Sequence, residues 1–262
     1  MRPIDVFPSV AQLKVRDRAI LCGLFLSKFD QAAVQALDFA SRVEAFNIMG
    51  HSVGVAPASI KNYRDEFDPV FPNERVGRTG RPMREHCRLL LERFGELEFN
   101  EMRALVVGVI DPSSVILGAN TLLSLEAELA GESVVAKRIA TGLAAEGYFR
   151  RHYKDISLFR GHSLIDTTLL GCGFDFRLDM PNQSGFLAAE VKGLRGSTGE
   201  ISLTEKEYRV ASRLREDYIV VVITNFSESP LPVVFRDPVG SPIGLRRRSR
   251  KLTEVRWEMQ VR

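Results

Sequence analysis

The stretch FLAAEVKGLRGSTGEISLTEKEY, residues 186–208, decides the reading of the fold. It runs through four apolar or small residues into Glu190, Val191 and Lys192, then into a glycine-rich turn. Successive side chains on a strand point to opposite faces, so Glu190 and Lys192 share one face and Val191 takes the other. FLAAEV is too apolar for an exposed strand, and burying an unpaired carboxylate costs several kcal/mol unless a partner or a metal compensates. A Glu-x-Lys pair on a strand also reads as a plain solvent-facing ion pair. The surrounding apolar residues argue for the buried alternative.

Just upstream, GFDFRLD, residues 173–179, shows the same alternation. It sets Phe174, Phe176 and Leu178 on one face and Asp175 and Arg177 on the other. If this strand pairs antiparallel with the next through the DMPNQSG loop, Asp175 approaches Glu190 and the two form a two-carboxylate cradle. Hard oxygen ligands of that kind suit Mg²⁺, which keeps most of its waters and accepts a phosphate oxygen. Lys192 beside such an ion can orient an attacking water or stabilise the charge that builds on a phosphorane.

Around this core the pattern is α/β. A helix is expected at SVVAKRIATGLAAEGYFRRHY (133–153) and another at EKEYRVASRLRE (205–216), with strands at FDFRLD, FLAAEVKGL, EISLT, YIVVVITNF and LPVVFRD. The expected architecture is a mixed sheet flanked by helices over residues 111–262, preceded by a mainly α domain over residues 1–110. In that first part the apolar positions Leu24, Phe25, Phe29, Val34, Leu37 and Phe46 recur at helical spacing. MRALVVGVI, near the boundary, reads equally as a helix or a buried strand.

Within the helical part, SVGVAPASIKNYRDEFDP (52–69) has a small-residue turn, a Pro-Ala-Ser helix opening and a stripe of Ile60, Tyr63 and Phe67. The arrangement resembles a helix-turn-helix whose second helix would turn Ser59, Lys61, Asn62 and Arg64 outward, toward phosphates and base edges. A short amphipathic surface helix gives the same pattern. The loop-like FPNERVGRTGRPMREH that follows carries Arg75, Arg78 and Arg81, which could lie along DNA as a wing or arm.

The formal charge of +3 is too small to argue for a polyanionic partner, although a dense basic run, GLRRRSRKLTEVR, lies near the C-terminus. Cys22, Cys87 and Cys172 lack paired spacing and read as reduced thiols of a cytoplasmic protein. ALVVGVI is too short to cross a bilayer, so no membrane association is expected. The four histidines show neither metal-ligand spacing nor a nucleophile elbow.

Asp175 followed by Glu190-Val191-Lys192, after a helix and a Gly-Phe-Asp turn, resembles the PD-(D/E)XK phosphodiesterase superfamily, the restriction-endonuclease-like fold. Its closest look is to the NOV-like nuclease-related branch found at the C-terminus of restriction and defence proteins. The resemblance runs over roughly residues 132 to 238, with Phe174 where the superfamily usually carries proline. It implies Asp175 and Glu190 as metal ligands and Lys192 as the catalytic lysine. It also implies a glutamate from the first helix, a place that Glu146 or Glu132 could fill, and a Thr-x-x-Glu segment matched by Thr204 and Glu207. Those two read equally well as a helix N-cap and its capping box. Asp166 is a further acid near the site.

Together these features lead to an expected Mg²⁺-dependent endonuclease of restriction or defence type. It would cut double-stranded DNA, leaving a 5′-phosphate as the resemblance to the superfamily implies, and act as a homodimer, since two strands must be cut. The alternatives are a non-catalytic DNA-binding protein with a nuclease-like scaffold, and a nuclease acting on RNA or single strands.

Overall fold

A computed structural model describes residues 13–111, 140–181 and 185–240. The basic C-terminal run, Glu132 and the first part of the helix expected from residue 133 lie outside the described residues.

The N-terminal part is helical throughout its described length: α1 (Val15–Lys28), α2 (Asp30–Ala36), α3 (Arg42–Val53), α4 (Pro57–Phe67), α5 (Glu85–Phe94) and α6 (Phe99–Ile110). MRALVVGVI is thus the body of α6, entered through a capping box between Glu98 and Glu101. Helix α1 is the axle of this part. Every residue from Ala19 to Ser27 is buried, which fits a helix that is apolar nearly all round.

In the C-terminal part a helix spans 140–152 (α7), followed by a five-stranded sheet in the order β1 (Ser163–Asp166), β2 (Phe176–Asp179), β3 (Phe186–Gly193), β4 (Tyr218–Thr224), β5 (Leu231–Arg236). Only β3 and β4 run parallel; their crossover contains α8 (Glu205–Leu214). The other three pairings are antiparallel. The mixed α/β class is therefore as expected. EISLT, however, is not a strand: it leads into α8 as extended chain, with Ile201 and Leu203 packed under that helix. The short β1 had no forecast because its SLID sequence is mostly exposed and carries no apolar alternation.

The sheet separates two cores. One face carries Ala188, Val220 and Val222 against Ala211 of α8. The other carries Ala189, Val191, Ile219, Val221 and Ile223, and belongs to one continuous apolar cluster with α7 and the N-terminal helices. Helix α7 fits between α3 and the sheet because glycine stands at both close approaches. A Cβ on Gly147 would come 2.1 Å from the His51 carbonyl oxygen, and one on Gly193 2.6 Å from that of Thr141. This seating fixes where Glu146 of α7 emerges.

Candidate active site

Strand β2 pairs with β3 only from Phe176 opposite Ala189 onward. One residue before β2, the Asp175 amide still donates to the Ala189 carbonyl at 3.0 Å, but the next ladder bond is replaced: the Val191 N–H donates to the Asp175 carboxylate at 2.8 Å. The acid is thereby set at the fork where the two strands part. Thr167 holds it from behind, its amide and hydroxyl both donating to the Asp175 carbonyl at 2.9 Å. Because the fork lies outside β2, the alternation expected from Phe174 fails there. Phe174 packs in the α8-side cluster, away from Phe176 and Leu178.

Glu190 and Lys192 share the α8 face of β3, as their spacing requires. Glu190 is 3% exposed, and Lys192 Nζ donates to Glu190 Oε1 at 2.5 Å and to Glu207 Oε2 at 2.9 Å. Glu207 has two tasks. Its carboxylate accepts from the Thr204 amide at 2.9 Å while its own amide donates to the Thr204 hydroxyl, closing the capping box of α8. The cap therefore carries a carboxylate to Lys192, so the structural and site readings of Thr204 and Glu207 both hold geometrically. Asp175, Glu190, Thr204, Lys206 and Glu207 line one pocket of about 200 Å³ with Thr168, Gly171, Gly173 and Phe174.

The electrostatics of this pocket are crowded with negative charge. Burial, then the Asp175 charge, pushes the Glu190 carboxyl up to about 8, and the same two causes raise Glu146 to about 7 despite Arg150. Asp175 is raised too, chiefly by burial, against the Val191 amide and Lys192. Burial disfavours the Lys192 ammonium, but Glu190 and Glu207 outweigh it and hold its pKa above the usual lysine value. Glu207 is held below its ordinary value, because Lys192 and the Thr204 amide overcome its own burial. Asp166 is tied to the Thr168 hydroxyl and amide and to Arg150 at 2.8 Å. It therefore buttresses the rim next to Asp175. Among the described residues no three His, Cys, Asp or Glu side chains stand in a ready metal-holding arrangement.

The expected DNA-contacting residues are placed differently from one another. Helix α3, a turn at 54–56 and α4 do form in sequence. Lys61 is exposed and pairs with Asp65; Arg78 is exposed and donates to Asn62 at 2.9 Å. Ser59 is half-buried. Arg64 does not point outward: it is 8% exposed, paired with Asp65 and stacked over Phe46. Arg75 is drawn inward between Asp30 and the buried Asp68. Arg81 and Arg84 converge on Glu66, whose side chain is 1% exposed. Part of this was readable, since Lys61 and Asp65, like Arg64 and Asp68, stand four apart on one helix. The loop of residues 68–84 is in this way fastened to its own acids.

A mixed sheet that sets two acids in one pocket where two strands part, with a lysine bonded to one of them, defines a nuclease-like α/β domain. Residues 145–235 match the family described as Protein NO VEIN, C-terminal, a domain of the PD-(D/E)XK nuclease-like type. The match runs from α7 into β5 and includes Glu146, Asp175, Glu190, Lys192 and Glu207. No curated protein and no solved structure matches the chain.

Proposed function

We propose that this pocket hydrolyses phosphodiester bonds of double-stranded DNA with a divalent cation, Mg²⁺, held by Asp175 and Glu190. The observation that carries the reading is that Asp175, at the fork before β2, and Glu190 of β3 line one pocket, with Lys192 bonded to Glu190. The residues present fit such an ion. Asp175 and Glu190 line the pocket and are both held above the ordinary carboxylate range, chiefly by burial and then by neighbouring negative charge, a strain that a bound cation relieves, and their oxygens are the hard ligands Mg²⁺ takes. When bound, the ion polarises the phosphate and lowers the pKa of a water.

Lys192, kept charged by Glu190 and Glu207, is placed to steady negative charge building on the phosphate. Glu207 fixes its ammonium and Asp175 is fixed by the Val191 amide, so neither must reorganise during the reaction. Duplex DNA is favoured over single strands by the α3-turn-α4 unit, whose exposed Lys61, paired only with Asp65, can meet a duplex, with half-buried Asn62 and its partner Arg78 from the following loop beside it. A two-fold homodimer would deliver one such pocket to each strand.

Incubating the protein with supercoiled plasmid in Mg²⁺ and in EDTA tests the reading. Cutting in Mg²⁺ alone is expected, with Asp175→Ala and Lys192→Met each lowering the rate at least about a hundredfold while duplex binding persists. Cutting that survives both substitutions would move the chemistry elsewhere.

A further inference from the structure

The turn between β1 and β2 shows two leucines to solvent at the edge of the pocket. Leu169 is 99% exposed and Leu170 73% exposed, on a single 3-10 turn spanning Thr168–Leu170. Scattered surface leucines are ordinary; two consecutive ones, almost wholly uncovered beside a polar site, are not.

The turn is also built to hold them there. Asp166 accepts from the Thr168 amide and hydroxyl, and the Leu170 amide donates to the Thr167 carbonyl at 2.9 Å. Thr167 in turn grips the Asp175 carbonyl, and Gly171 ends the turn at φ 57°. The leucine pair is thus rigidly coupled to the acid at the fork. Its neighbours on the pocket rim, Thr168 and Gly171, line the same cavity as Asp175, and the exposed Lys206 ammonium lies on that rim too, 3.7 Å from where a Gly171 Cβ would stand.

We propose that Leu169 and Leu170 form an apolar wedge that enters a base step next to the phosphate held in the pocket. This deepens, and rests on, the nuclease reading above. The surface offers what such a step presents: a cation for the backbone charge and, beside it, bare hydrocarbon for the faces of bases that part. Inserting aliphatic side chains between bases costs unstacking energy and is recovered through the contacts the kinked duplex allows. That cost is smallest where a step is already mispaired.

The test uses wild-type protein in EDTA, which binds without cutting, and two pools of random-sequence duplex, one fully paired and one with a central mismatch. Wild type should hold the mismatched pool at least about fivefold more tightly, and Leu169→Ser/Leu170→Ser should bind the paired pool similarly but level the two affinities. Both side chains are exposed, so the variant should melt like wild type. An unchanged ratio in the variant, or no preference in wild type, overturns the wedge. So does a variant that changes the sedimentation of the free protein, since the leucines would then be a contact between copies. Plasmid cutting in Mg²⁺ is scored separately: its absence in wild type removes the nuclease reading, whereas the affinity ratio reports on the wedge alone.

Discussion

Glu190 is the residue with most at stake in the candidate site. Burial and the Asp175 charge lift its carboxyl from an ordinary 4.5 to about 8, and Glu146 rises to about 7. A carboxyl whose folded pKa exceeds its unfolded one contributes stability that is full below the unfolded value and is lost as pH rises through the folded value. In EDTA the melting temperature should therefore fall between about pH 5 and pH 8, and Mg²⁺ should restore most of the loss at the upper end. Over a range that overlaps the lower part of that window, His51 acts in the opposite sense. It is buried, its pKa is pushed down from 6.5 to about 4, and its contribution disappears as pH falls between those values. Glu190→Gln should reduce the alkaline loss to the share of Glu146 and Asp175 and raise stability near pH 8 by about 1–2 kcal/mol in EDTA, while abolishing the stabilisation by Mg²⁺. Melts across pH with and without the ion check this, and a variant that Mg²⁺ still stabilises would take Glu190 out of the ligand set.

At the scale of elements, what the sequence disclosed depended on how each segment is buried. Strands β3, β4 and β5 announced themselves as apolar runs, and strand alternation alone paired Glu190 with Lys192. The fork did not announce itself. Asp175 continues the alternation of β2 on paper, yet it sits one residue outside the strand because its side chain, not its backbone, satisfies the Val191 N–H; that exchange depends on a neighbouring strand that no local pattern describes. The arginines of 75–84 misled for the same reason, since their acids Asp30, Glu66 and Asp68 come from other elements or from upstream helix ends. The capping box of α8 was legible as a motif, but its reach to Lys192 was a property of the assembled pocket. Thr204→Ala tests that dual role. Loss of the hydroxyl should cost about 1 kcal/mol and release the Glu207 amide, loosening the first turn of α8 that carries the Glu207 carboxylate even though the Thr204 amide still holds that carboxylate, so plasmid cutting should fall by more than the small drop in stability explains. Thr204→Ser, which keeps the cap, should cut like wild type. Equal cutting by Ala and Ser variants would confine Thr204 to the helix.

The whole molecule is held together across its two parts by contacts that leave no independent seam among the described residues. One apolar cluster runs from α1 through α7 to the sheet. At its polar border Arg195, just after β3, grips both carboxylate oxygens of Glu44 of α3 through its Nε–Nη2 edge, each at 2.5 Å, and also donates to the Asp38 carbonyl. Asn47, one turn along α3, donates to the Phe226 and Glu228 carbonyls beyond β4. The loops that leave the parallel strands β3 and β4 are thus both anchored on one helix of the N-terminal part. Glu44 has a side chain only 1% exposed, so removing its partner strands a buried charge. Arg195→Met should lower stability by about 3 kcal/mol, and adding Glu44→Gln should recover most of the loss because the amide keeps the Ala40 N–H bonded without a charge to bury. Urea unfolding followed by circular dichroism should give one transition for wild type and for both variants, since the shared core couples the parts. Two separate transitions in wild type, or an Arg195→Met loss that Glu44→Gln does not repair, would show instead that the helical part and the nuclease-like part fold as separate units joined only by their surfaces.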